Sequence, residues 1–424
     1  MEHKGAHSDV IVIGAGLAGL AAACFATQAG ARVRVIAQGW GQQMVAPGWL
    51  SFWDGAQGVT LAALAEGVAD DPAHPYALAG ADAPARALEA FTRLTRDLGL
   101  PYLHREQDGR NWRLPTALGA LQTPYAAPRA FANGDLTDFA GELLIVGIRG
   151  WRDFYPDAMA RQLREQGFSA RVAWVDVPLH AGKWDWWPND LARFFDRADV
   201  RRAVARQLRG QVRGASKVGF PAILGLDRHA EALADLSAYL GRQVFEVATL
   251  PPSLPGVRLT NALRRWLLRK GARVQVGHAV TRALVEGGRC LGVEVAALGH
   301  ANTFRAERVI LATGGLYNGG VLSDMRGRLR EPIFGLPVVA PEGEGRAGWF
   351  REHLLDTRGH PIHRTGVRVD ARMQPLDAGG APALANVYAA GDLLAGYDPL
   401  TDGCAEGVAL ATAWRAARAA LDLD

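Results

Sequence analysis

Three glycine-rich segments, far apart in the chain, carry residue types that let a backbone approach a phosphate and a planar redox ring. The first is Val10-Ile11-Val12-Ile13-Gly14-Ala15-Gly16-Leu17-Ala18-Gly19, a G-x-G-x-x-G turn behind an apolar, β-branched run. Gly14 allows the tight turn, Gly16 keeps side chains away from the phosphate, and Gly19 lets the following helix pack close to the strand. That helix, predicted over Leu17 to Gln28, presents the backbone of Leu17 and Ala18 at its positive end, where an anion is favoured. The second segment is Val309-Ile310-Leu311-Ala312-Thr313-Gly314-Gly315, a buried strand ending in small residues. The third is Asn386-Val387-Tyr388-Ala389-Ala390-Gly391-Asp392, where Asp392 is placed to accept hydrogen bonds from ribityl hydroxyls. Downstream, Gly403, Cys404 and Gly407 open a last helix whose dipole can face the pyrimidine end of a flavin and stabilise its reduced anion. The order of the three segments points to one flavin site.

One expected part is missing. A dinucleotide site usually carries Asp or Glu at the end of the second strand to hold the adenosine ribose. Here Ala37 stands at that place, followed by Gln38 and Gly39, and Gln38 replaces the acid only in part. FMN is therefore the expected flavin. FAD is the alternative, because the glycine turn suits a pyrophosphate.

A flavin enzyme that removes a proton needs a base, and one that takes an anion needs cations. The candidates are His363, Arg258 and Arg330 with Glu331. His363 precedes Gly366-Val367-Arg368-Val369-Asp370, a strand expected to return beside the flavin. A lone histidine is more often structural, and Arg330 and Glu331 have the simpler reading of pairing with each other.

The elements that must hold these residues form an α/β architecture: a Rossmann-like flavin domain, discontinuous in sequence, with an inserted second α/β domain. The flavin domain takes residues 1–60, 255–325 and 365–424, and the insertion residues 61–254 and 326–364. Alternating apolar runs and amphipathic stretches in the insertion predict parallel strands near Glu142, Ala170, Val218 and Gln243. Between Ala279 and Arg305 a small antiparallel meander is expected, with turns at Gly287-Gly288 and Gly299. The turn Gly147-Ile148-Arg149-Gly150 lacks a third glycine and a downstream acid, so it does not read as a nicotinamide site.

Apolar residues make up 49% and charged residues 21% of the 424, an ordinary globular profile. A net charge of +4 and the absence of an aromatic-interleaved basic motif argue against nucleic acid. The basic run from Arg201 to Lys217 reads as a solvated helix face, and the cluster around Trp184, Trp186 and Trp187 as core aromatics. The three cysteines, Cys24, Cys290 and Cys404, are too scattered for an iron–sulfur cluster or a redox pair, and no metal site is expected. Sparse cysteine, a short polar leader and no apolar run of about 18 residues predict a cytoplasmic protein without a membrane span.

The chain resembles the B subunit of the anaerobic glycerol-3-phosphate dehydrogenase family nearly end to end. The resemblance is carried by Ala73-His74-Pro75-Tyr76, Leu250-Pro251-Pro252-Ser253, Arg330-Glu331-Pro332-Ile333, Gly396-Tyr397-Asp398-Pro399 and Gly403-Cys404, beside the glycine turns. It implies a flavin subunit, FMN-bearing, in a complex that oxidises glycerol 3-phosphate to dihydroxyacetone phosphate. Electrons then pass through an iron–sulfur subunit to quinone, with a sister flavin subunit present and membrane association only through partners. It leaves two alternatives: a docking and electron-relay subunit, or a stand-alone oxidoreductase of the fumarate reductase kind. Glu406 departs from the family, whose members tend to have glycine there. A carboxylate near the flavin would disfavour the reduced anion.

Overall fold

Parallel pairing requires a crossover after each strand, and the chain supplies one at the outset. In the computed structural model, which describes residues 7–53, 61–105, 108–177, 186–297, 300–343 and 345–423, strand His7–Ile13 leads through helix Leu17–Gln28 into strand Val33–Ala37. The two strands pair in parallel, Val10 opposite Val33 and Ile13 opposite Ile36. Val10, Ile11 and Val12 are fully buried, as an uninterrupted apolar run inside a parallel sheet must be. The sheet runs Arg273–Val276, Val33–Ala37, His7–Ile13, His300–Leu311, Arg289–Ala297, Val280–Glu286, and Val387–Ala389 pairs with His300–Leu311.

His300–Leu311 serves two arrangements. Its first part is antiparallel to Arg289–Ala297, and its second is parallel to His7–Ile13 and Val387–Ala389. The sequence suggests separate strands there, but the chain stays extended because each part finds a partner. His7–Ile13, His300–Leu311 and Val387–Ala389 are thus neighbours running the same way, and each glycine segment begins where one of them ends. This is the carboxyl edge of a parallel sheet, where open α/β sheets bind ligands.

Two compact units emerge. The first comprises residues 1–42, 51–94 and 262–424, and the second residues 43–50 and 95–261. Residues 61–94 and 326–364, expected in the insertion, therefore lie in the first unit. Tyr76 donates to Phe52 O at 2.8 Å, and Val338–Val339 pairs with Gly366–Val367, which ties both stretches to it. The second unit has an all-parallel sheet in the order Gln243–Val247, Lys217–Pro221, Glu142–Ile148, Ser169–Val175. Gly147 is a packing residue there, since a Cβ would stand 2.6 Å from Pro156 and 2.8 Å from Trp174.

In the basic run, Arg202, Arg206, Arg209 and Arg213 are not buried, as expected of a solvated face, but Arg201 is fully buried. Its guanidinium bonds to Phe195 O, Asp196 O, Asp235 and Glu231, so it joins helix Ala198–Leu208 to helix His229–Leu240. Trp186 is buried against Phe194 whereas Trp187 is 57% exposed. Trp184, the turn at Gly299 and most of the polar leader lie outside the described residues. Among the described residues no helix is long and apolar enough to cross a membrane.

Candidate functional site

The three glycine segments meet at the carboxyl edge of the first unit's sheet with backbone against backbone. Gly14 has φ +120°, and a Cβ there would stand 2.0 Å from Ala312 O. A Cβ on Gly19 would lie 2.1 Å from Gly14 O, one on Gly391 2.7 Å from Ala18 Cβ, and one on Gly315 2.8 Å from Asp392 O. Only glycine permits this convergence. Gly16 is the N-cap of helix Leu17–Gln28, which has no side-chain cap and no acid in its first turn. Gly14, Gly16 and Leu17 are partly exposed. The first amides of the helix are therefore presented at an accessible turn, an arrangement suited to an anion.

Further polar groups fit the polyol and phosphate of a flavin. The buried hydroxyl of Thr313, just before Gly314, has no hydrogen-bond partner among the described residues. Asp392 is partly buried, and burial pushes its carboxyl above the usual range. Tyr397 donates to its Oδ1 at 2.9 Å, which leaves Oδ2 to accept. Thr412, on helix Ala405–Ala420, accepts from Gly391 N at 3.0 Å and fixes the third turn. Gly403 takes the left-handed conformation at φ +57°, and Cys404 is buried, its thiol pushed well up by desolvation. Gly407 packs inward, since a Cβ would stand 2.0 Å from the Tyr76 hydroxyl. Ala37, Gln38 and Gly39 follow one another at the end of the second strand, the first buried and the other two exposed. The donor set and the cradle fit a flavin phosphate and a ribityl chain.

His363 lies in a short helical turn, Pro361–Arg364, that docks beside the third segment. A Cβ on Gly366 would stand 2.4 Å from Leu393 O, and Ala395 N donates to Val367 O at 3.0 Å. The docking brings His363 Nδ1 to 3.2 Å from Asp398 Oδ2, with both side chains almost wholly buried. Asp398 tends upward through burial, yet hydrogen bonds from Thr401 and Leu400 and the adjacent His363 hold it below the usual carboxylate range. An ionised Asp398 keeps the ring proton on Nδ1 and leaves Nε2 as the basic nitrogen, the arrangement of a histidine base with an orienting acid. Sequence reasoning misses the role of Asp398. The residue belongs to the Gly396–Pro399 motif, but its link to His363 exists only in the fold.

The other candidates stand elsewhere. Arg258 is 4% exposed in the second unit, and its fork is taken by Glu246 at 2.6 and 3.0 Å and by Gly225 O at 2.7 Å. It is a buried structural pair with no fork left for a substrate phosphate. Arg258→Lys is expected to lower stability by about 1–2 kcal/mol through loss of the bidentate geometry, read as an earlier urea midpoint in tryptophan emission with flavin content unchanged. An unshifted midpoint would refute it. Glu331 does not pair with Arg330: it accepts from the amides of Ile333 at 2.8 Å and Phe334 at 2.7 Å and closes a turn, while Arg330 is exposed.

Glu406 opens the last helix and accepts from Ser51 N at 3.2 Å. Burial pushes its carboxyl from 4.5 to about 7. As pH rises between these values the unfolded chain loses its proton first, so stability falls by up to about 1.4 kcal/mol per pH unit and levels off above pH ~7. Glu406→Gln removes this slope. Thermal midpoints of the two proteins should differ more at pH 8 than at pH 5, and parallel profiles would contradict the burial argument.

The fold and the glycine cradle define a flavin-binding protein of the FAD type, and a family model described as FAD binding domain matches residues 9–408. The chain belongs to that family and, within it, to the B subunits of anaerobic glycerol-3-phosphate dehydrogenases. It is 32% identical over 419 residues to the anaerobic glycerol-3-phosphate dehydrogenase B subunit of Pectobacterium atrosepticum, covering 96% of each chain. It is also 32% identical over 430 residues to a probable B subunit of the same enzyme from Halobacterium salinarum, covering 98% of each. Among solved structures, a 3-ketosteroid Δ1-dehydrogenase from Sterolibacterium denitrificans aligns over 99% of this chain and 100% of its own at 12% identity, with a TM-score of 0.47. The expectation of FMN is not supported: the matching family is of the FAD type. Alanine at position 37 removes one ribose contact, but the glycine turn and uncapped helix that suit a pyrophosphate are intact.

Proposed function

We propose that this chain is a flavin subunit of a quinone-linked anaerobic glycerol-3-phosphate dehydrogenase complex, an oxidoreductase acting on sn-glycerol 3-phosphate, and that its flavin is FAD. The observation that carries a direct part in oxidation is the buried His363–Asp398 pair beside the third glycine segment. Bound flavin supplies a two-electron acceptor for the hydride leaving C2 of the substrate. His363 Nε2 takes the hydroxyl proton as the carbonyl forms, and Asp398 holds the ring and stabilises the charge it gains. Asp392, Thr313 and the first turn of Leu17–Gln28 bind and orient the cofactor. The complex would contain a sister flavin subunit and an iron–sulfur subunit that carries electrons onward. It would sit in the cytoplasm, at the inner face of the membrane through those partners alone, with the second unit serving as cap or docking domain.

The test is anaerobic addition of sn-glycerol 3-phosphate to the purified chain and to the assembled complex, with flavin bleaching as the readout. Bleaching of this chain's flavin in isolation supports direct oxidation. A second reading, electron relay for a sister flavin subunit, is favoured by the engagement of two of the cations. Arg258 is locked to Glu246, and Arg364 faces Asp402 at 3.6 Å and Asp71 at 4.0 Å. Under that reading the flavin bleaches only in the complex. A chain that takes up no flavin defeats both.

A further inference from the structure

His74 has a buried hydrogen-bond donor that nothing among the described residues satisfies. The residue is 2% exposed and caps the short helix Pro75–Ala79, its Nδ1 accepting from Tyr76 N at 3.1 Å. A backbone amide can only donate, so in the neutral ring the proton sits on Nε2. Burial lowers the pKa of the ring and keeps it neutral. Nε2 is buried without a partner among the described residues. The ring is held among Trp53, Tyr76 and Tyr397 at centroid distances of 5.7, 5.2 and 5.9 Å. An unpaired buried donor costs about 1–3 kcal/mol and is rare in native proteins.

The surroundings show what the donor is for. A ring nitrogen of His74, an oxygen of Asp402 and the sulfur of Cys404 lie within 4.8 Å of one another. Three such groups resemble a metal site, but the tautomer argues against one. A metal on Nε2 would move the proton to Nδ1, against the Tyr76 amide, whereas metal-bound histidines donate from the other nitrogen. Asp402 is engaged elsewhere, accepting from Asp398 N at 2.8 Å and facing Arg364. Cys404 is the N-cap of helix Ala405–Ala420 and supplies no side-chain cap. Helix Ala405–Ala420 begins beside this donor, but its Gly407 amide is taken by Ser51 O at 3.0 Å and Glu406 accepts from Ser51 N, which leaves the His74 N–H as the group in want of an acceptor. Tyr397, which touches the His74 ring, also donates to Asp392, so this place adjoins the cofactor cradle.

We propose that His74 Nε2–H, beside the start of helix Ala405–Ala420, is the hydrogen-bond donor to the oxygen-bearing pyrimidine rim of the bound flavin. The proposal rests on the flavin reading above and adds the residue that biases the cofactor's two oxidation states. Negative charge grows on that rim on reduction, so a donor fixed in a dry site favours the reduced form.

The test uses the full chain loaded with FAD, as wild type, His74→Asn and His74→Ala. Asparagine can still cap Tyr76 N but is too short to reach the place of Nε2; alanine removes both functions. Anaerobic titration gives the ratio of affinities for reduced and oxidised FAD. Both variants are expected to hold oxidised FAD while that ratio falls about tenfold. FAD bound with a ratio within about twofold of wild type overturns this proposal alone. Wild-type chain without flavin overturns the flavin reading together with it. Stoichiometric zinc uptake by the apo-chain, lost in Cys404→Ser, overturns it in favour of a metal.

Discussion

A chain carrying Gly14→Val is expected to emerge from purification without flavin and with lowered stability. Gly14 has φ +120°, outside the region that valine adopts readily, at a cost of about 1–2 kcal/mol or more for the backbone alone. The larger effect is steric. The added Cβ would stand 2.0 Å from Ala312 O and 2.7 Å from Ala312 C. Those are backbone atoms at the end of a central strand, so relief must come from separating the first two glycine segments, and the anion-binding turn opens with them. Two controls isolate the cause. Gly30→Ala meets nothing within 4 Å but has φ +93°, so it tests backbone strain by itself. Gly210→Ala, outside the three segments, meets nothing within 4 Å and needs no unusual φ, so flavin content should be unchanged. The measurement is flavin absorbance per mole of purified chain. Full occupancy in Gly14→Val would show that the three segments do not form the cofactor cradle.

Where this chain oxidises substrate, His363→Asn slows flavin reduction by glycerol 3-phosphate by about 10²–10⁴-fold, the range for removing a positioned general base. The loss should appear in a single anaerobic turnover, with flavin content and thermal midpoint near wild type, because the His363 side chain is linked to Asp398 by one hydrogen bond at 3.2 Å. Asp398→Asn is the companion. Its amide can present a donor to Nδ1, which then gives up its proton and leaves Nε2 protonated and unable to act as a base. The two single variants should each cost nearly as much as the double, as expected of residues that act as one unit. A reduction rate within about threefold of wild type in His363→Asn would assign oxidation to another subunit.

The glycine framework proposed as the flavin cradle is largely legible in the sequence because its requirements are local. Gly14, Gly19, Thr313, Gly314 and Asp392 each stand at a fixed offset from an apolar run, and the period of that run names the strand. Helix Leu17–Gln28 can be read at its full length because Gly16 and Gly30 bracket it. The dyad is legible by half. His363 can be chosen for its residue type, but Asp398 is joined to it only after Gly366 has docked against Leu393, a contact with no local signature. In the sequence His74 stands only as part of a family motif, because an unsatisfied nitrogen shows itself only when its neighbours are placed. Arg258 misleads for the complementary reason: an arginine in a family motif reads as a ligand for phosphate, and only the fold reveals Glu246 beneath it. The domain boundaries differ where short strands such as Val338–Val339 pair with distant ones.

The three strand ends that build the cradle belong to residues near the start, past the middle and at the end of the chain, and Thr412 in the final helix clamps the last of them. Synthesis runs in one direction, so the first glycine turn leaves the ribosome long before its two counterparts exist. The nascent chain holds an incomplete parallel sheet, with the inner strand His7–Ile13 lacking its neighbour on one side until His300–Leu311 arrives. A cradle built from these three segments closes only once the third is in place, so a chain cut before helix Ala405–Ala420 is expected to keep no flavin.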